Sequence, residues 1–114
     1  MYKDSIKFRI HIKDLVRKYF PSDERYQLID QIIRAANSIV LNIAEGSDRG
    51  TDRDFALFLN RAHASICEVV ACLDMALKDE YITALIHAKY LKEAEDLANQ
   101  ITAFRRQLIT NPSK

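Results

Sequence analysis

The 114-residue chain is 48% hydrophobic, 29% charged and 9% aromatic, enough for one compact core and too short for two. Two Gly and two Pro are too few for an all-β chain, in which a turn rich in those residues is needed about every 8 to 12 positions. Seventeen basic against 16 acidic side chains give a formal charge of +1, so bulk charge does not supply strong polyanion binding and local asymmetry must.

The first predicted helix spans about residues 5–20, with Phe8, Ile12, Leu15, Val16 and Tyr19 on one stripe, and Pro21 ends it. Ser22, followed by Asp23 and Glu24, reads as the cap of a second helix over about 23–45, with acids at its positive end. Its Ile29, Ile32, Ala36, Ile39 and Ile43, widened by Ile33 and Val40, face a core along the whole length, and Gly46 reads as its stop. Thr51 with Asp54 resembles a capping box opening a third helix over about 52–80, whose seam is Leu59, Ala62, Ile66, Val69, Leu73 and Ala76. After a weak break at Tyr81-Ile82-Thr83, a fourth helix over about 83–109 carries Tyr90, Ala94, Leu97, Ile101, Phe104 and Leu108, and Asn111-Pro112 closes it. Short joints make consecutive helices antiparallel, so the predicted fold is all-α: a single-domain, antiparallel up-and-down four-helix bundle over residues 1–114.

Cys67 and Cys72 lie five apart on one helix, poor geometry for a bridge, which fits a reduced, cytoplasmic compartment. No run approaches the ~18 uninterrupted apolar residues of a membrane span, and Met1–Lys7 has no apolar signal core, so neither insertion nor secretion is expected. Catalysis finds little support. The chain has no Glu-x-x-His pair for a di-metal site, and His63 with Cys67, one turn apart, supplies only two ligands. Ser38, Ser65, Cys67 and Cys72 lack an oriented base, and no Gly-rich phosphate loop is present. The Arg-to-His spacing of helical RNA-cleaving toxins is absent too. The expectation is a non-enzyme with no catalytic residue, metal or cofactor.

Binding surfaces are better supported. Beside its seam the third helix carries Leu57, Ala64, Cys67, Ala71 and Met75 on a different side, either a wide buried face or a contact with a second copy. Self-association is the favoured reading, and Leu41 on the second helix joins this candidate interface. Next to Leu41 runs a polar row, Gln27, Gln31, Arg34, Ser38, Asn42 and Glu45, suited to a hydrogen-bond network between helices or subunits. Residues 1–20 carry +4 and 81–114 carry +2, against −2 and −3 for 21–50 and 51–80. Because first and last helices are neighbours in such a bundle, Arg9, Lys13, Arg17 and Lys18 combine with Lys89, Lys92, Arg105 and Arg106 as candidate nucleic-acid contacts for RNA or DNA.

The run Gln31-Ile32-Ile33-Arg34-Ala35-Ala36-Asn37-Ser38-Ile39, followed by Asn42-Ile43-Ala44-Glu45-Gly46 and Arg49, resembles the four-helix-bundle proteins encoded in 23S rRNA intervening sequences. The likeness continues through Phe55, Phe58, Leu59, Ala62, Ser65, Glu68 and Leu73, and covers nearly the whole chain. Two positions depart from it: Ile33-Arg34 stands where the family usually has two Arg, and Val40 where it often has Pro. The resemblance implies a ring-like homopentamer without catalytic activity. It extends more distantly to accessory proteins of diversity-generating retroelements, which implies a reverse transcriptase or its RNA as a partner. Gln31, Arg34, Asn42, Glu45 and Gly46 are carried over as hallmark positions, and Arg49 is the loop base free to face a partner.

Overall fold

The structure, a computed structural model, describes residues 1–110. Four helices, α1 (Tyr2–Tyr19), α2 (Asp30–Ser47), α3 (Asp52–Lys78) and α4 (Ala84–Thr110), form an all-helical bundle, with no strand among the described residues. The partnerships run in opposite directions along each neighbouring pair. On α2 and α3, Gly46 lies against Phe58 and Ser38 against Ser65. On α3 and α4, Phe55 stacks with Phe104, while Asp74 meets His87. His11 of α1 meets Glu93 of α4, so the first and last helices also touch. That is the expected up-and-down order, and the 27-residue α3 and α4 lie along a bundle 48 Å long.

The core follows the apolar periodicity. Phe8, Ile12 and Leu15 of α1, Ile32, Ile39 and Ile43 of α2, Leu59, Ile66, Val69 and Leu73 of α3, and Ala94, Leu97 and Ile101 of α4 are buried together. Truncating a fully buried member such as Ile39 to Ala removes ~2–5 kcal/mol, the transfer free energy plus the cavity left behind. Two stripe members sit differently. Tyr19 is exposed, and Phe20, just past the end of α1, is buried in its place with its ring 6.0 Å from that of Tyr81. Phe104 is 38% exposed, with the Phe55 ring centre 5.4 Å from its own.

Three helix ends differ from the sequence reading. Helix α1 begins at Tyr2, earlier than expected, because Ser5 is buried and donates its hydroxyl to the Tyr2 carbonyl at 2.6 Å. Ser22 does not cap α2. A 3-10 turn (Ser22–Glu24) and a wider π turn (Arg25–Ile29) precede it, and Glu24 makes the capping contact, accepting from the Leu28 N–H. The partner that holds Glu24 is distant in sequence: the Tyr81 hydroxyl donates to its carboxylate. Nor does Gly46 stop the helix, which continues through it to Ser47 without a positive φ. A Cβ there would lie 2.7 Å from Phe58 Cβ and 2.9 Å from Phe55 Cδ1, so the glycine is needed for close approach of α2 and α3.

The Thr51 cap is as expected, its Oγ1 accepting from the Asp54 N–H at 3.1 Å, and at the expected start of α4 the Thr83 Oγ1 accepts from the Ile86 N–H at 3.2 Å. Between them α3 ends in a paired closure, Tyr81 N–H to Ala76 O at 2.9 Å and Glu80 N–H to Leu77 O at 3.0 Å. Glu80 takes the left-handed conformation this closure needs, with φ 64°. The expected Asn111-Pro112 closure of α4 lies outside the described residues. By length and composition α3 alone among the described helices is apolar enough to cross a membrane, and half of that apolar stretch is buried in the bundle.

Candidate functional site

The fold turns one side of α3 inward, and Leu57, Ala64, Cys67, Ala71 and Met75 all reach solvent on the other side. Leu57 is 49% exposed, Met75 43%, and Leu41 on α2 65%. A wide buried face therefore does not account for this second apolar row within one protomer. Leu57 and Leu41 each line a groove, and the two grooves are separate. An open groove of about 720 Å³ at the start of α3 is lined by Ala56, Leu57, Leu108 and Ile109 together with Arg53, Asp54 and Arg105. A second groove, of about 400 Å³, lies between α1 and α2, where Ile6, Val40 and Leu41 surround the Arg9–Asn37 hydrogen bond. Ile10, 49% exposed on α1, was not singled out from sequence, although Ile6 and Ile10 repeat at four off the Phe8–Ile12 stripe.

The polar row of α2 divides. Asn42 Nδ2 donates to the Ser38 carbonyl at 2.8 Å and to Ser38 Oγ at 3.0 Å. Ser38 Oγ shares a hydrogen bond of 2.8 Å with Ser65 Oγ, and Ser65 also donates to the Arg61 carbonyl at 3.2 Å. This network ties α2 to α3 and satisfies the buried Ser65 hydroxyl. Ser65 is its unanticipated member. Arg34 instead pairs with Asp30 one turn back, and Gln31 is exposed beside a shallow pocket with Met75 and Asp79.

The basic residues do not merge into one surface. Arg9 is held by Asn37, Arg17 by Asp14 at 3.3 Å, and Lys92 by Asp96 at 2.7 Å, a hydrogen bond that also raises the Lys92 pKa. Where α4 meets α1 it presents acids, Glu93 at 2.6 Å from His11 Nδ1 and Asp96 beside Asp4 and Lys7. Lys13 is half-buried and Lys18 exposed. Lys89 Nζ lies 5.6 Å from the centre of the Tyr90 ring. Arg105 and Arg106 stand ~20 Å further along α4 from Lys92, and Arg105 Nε is buried without an acceptor among the described residues.

Glu45, Gly46 and Arg49 are brought together by the α2–α3 turn. Close packing at Gly46 sets Phe58 under the turn, the Arg49 guanidinium carbon stands 4.5 Å from its ring centre, and Arg49 reaches Glu45 at 3.9 Å. Arg61, one turn beyond Phe58, places its guanidinium carbon 4.7 Å from the same ring. The aromatic three residues before Arg61 was the available signal for this cluster.

The thiols differ in character. Cys72 is fully buried, and burial together with the neighbouring Glu68 charge pushes its pKa up to about 11. Cys67 is exposed, with Sγ 3.8 Å from His63 Nδ1. Among the described residues no three His, Cys, Asp or Glu side chains cluster to hold a metal ion.

Residues 1–103 match the family model for 23S rRNA-intervening sequence protein. No curated protein sequence matches the chain. Among solved structures, a protein of unknown function from the S23 ribosomal protein family of Bacteroides thetaiotaomicron, determined at 1.70 Å, superposes with a TM-score of 0.82. It is 23% identical, and the alignment covers 92% of this chain and 94% of that one.

Proposed function

This chain belongs to the 23S rRNA-intervening sequence protein family, and we propose that it acts in the cytoplasm as a non-enzymatic, homo-oligomeric scaffold for RNA or a ribonucleoprotein partner. The observation that carries this reading is the row Leu57, Ala64, Cys67, Ala71 and Met75, which the described residues leave exposed. Small side chains at Ala64 and Ala71 let another copy's helix approach closely, and Leu57 and Met75 supply the apolar area that association buries. The α1–α2 groove around Leu41 is a different apolar surface on the same protomer. Two unlike patches suit a head-to-tail contact, which closes into a ring when the rotation allows. A pentamer is the number implied by the family resemblance. Repetition around the ring multiplies each weak basic contact into a multivalent surface for phosphates.

Light scattering at micromolar concentration tests the assembly, with a mass about five times the 13.2 kDa chain expected. Salt titration of RNA binding tests the partner: log affinity falls against log salt with a slope of about −0.7 per phosphate neutralised on a single strand. The internal pairing of Arg9, Arg17 and Lys92 favours a second reading, a protein-only adaptor such as a reverse-transcriptase accessory subunit. Absence of RNA binding at low salt selects that alternative.

A further inference from the structure

We infer that Arg49 and Arg61, both resting on the Phe58 ring, form a two-guanidinium clamp for a nucleic-acid phosphodiester, an inference that rests on the RNA-binding reading above. Their guanidinium carbons stand 4.5 and 4.7 Å from one ring centre, so a single buried aromatic holds both cations in place. A guanidinium attracted to a ring face keeps N–H donors on its rim available, and its planar fork loses less freedom on binding than a lysine does. Arg49 reaches the Glu45 carboxylate at 3.9 Å, and no ion pair of Arg61 is present among the described residues. Both side chains belong to residues exposed in the protomer, and Arg61 stands one turn from Leu57 and Ala64, so the clamp requires the α3 contact between copies to leave its guanidinium uncovered.

Guanidinium forks recognise carboxylate and phosphate alike, and the RNA-binding reading selects the phosphodiester, whose two unesterified oxygens can each accept from a separate fork. Phe58 is in turn seated by the close approach at Gly46, so the clamp depends on how α2 packs on α3.

The test is anisotropy titration of a fluorescently labelled single-stranded RNA 20-mer with the full-length protein over a salt series, for wild type, Arg61→Ala, Arg49→Ala, the double variant, and Lys78→Ala as a remote exposed control. Each clamp variant is expected to lose roughly 3- to 10-fold in affinity at the lowest salt, with the salt slope reduced by about 0.7. The double variant should lose less than the product of the singles, because each guanidinium helps seat the same phosphate. Lys78→Ala should bind within twofold of wild type. Wild-type affinity and slope in Arg61→Ala, with RNA still bound, overturn the clamp while leaving the RNA reading standing. No RNA binding by wild type overturns both. Loss of oligomer mass in Arg61→Ala with RNA affinity kept assigns the pair to a carboxylate on a second copy and likewise overturns the clamp.

Discussion

Gly46→Ala isolates the packing that brings α2 onto α3. In an unobstructed helix this change stabilises by ~1 kcal/mol, because alanine loses less backbone entropy on folding. Here the new methyl would stand 2.7 Å from Phe58 Cβ and 2.9 Å from Phe55 Cδ1, against an optimal carbon separation of ~3.5–4.0 Å. The nearer atom is fixed to the α3 backbone, so relief requires the two helices to part rather than a side-chain tip to swing aside. Overpacking of that kind costs ~1–3 kcal/mol, and its upper half applies, leaving a net loss of ~1–2 kcal/mol. Urea denaturation at one fixed protein concentration measures this, with the midpoint falling by on the order of 1 M. Gly50→Ala is the internal comparison. No atom lies within 4 Å of the position its new methyl would take and its φ is not positive, so it should be neutral or stabilising by up to ~1 kcal/mol. A Gly46→Ala protein as stable as wild type would refute the close-approach role of this residue.

Ala71→Glu places a charge in the middle of the exposed α3 row, and is expected to reduce the light-scattering mass to that of one 13.2 kDa chain with far-ultraviolet circular dichroism unchanged. An unchanged oligomer mass refutes the row as the contact. Glu80→Gly removes the strain of a left-handed non-glycine residue at the end of α3, and should raise stability by ~1 kcal/mol in the same urea assay. A loss of stability would contradict that assignment. Well below pH 9 the Cys72 thiol is neutral in folded and unfolded chains, but as pH passes 9 the unfolded thiol ionises while the folded one resists until about 11. Stability should therefore fall as pH rises from 9 to 11, more in wild type than in Cys72→Ala, and equal pH profiles of the melting temperature would refute the burial effect.

Four helices, their antiparallel order and the Thr51 and Thr83 helix starts were legible because they depend on apolar spacing and on residues a few positions apart. The entry to α2 was not, since its 3-10 and π turns are held by Glu24 accepting from Tyr81, a partner 57 positions away. Gly46 was misread for a similar reason: a terminal glycine and a close-contact glycine look alike until Phe58 is placed opposite. At the candidate site, the exposed α3 row was readable from its offset against the buried seam. The division of the basic residues was not, because it depends on which carboxylate or amide each cation meets across the bundle, as Arg9 meets Asn37.

The central claim is that identical chains associate through the α3 row. Sedimentation of the RNA-free wild-type protein at micromolar concentration tests it most directly, because in that sample only self-association raises the mass. A single species of about five chains is the expected result; a fully helical species of 13.2 kDa under the same conditions would contradict it.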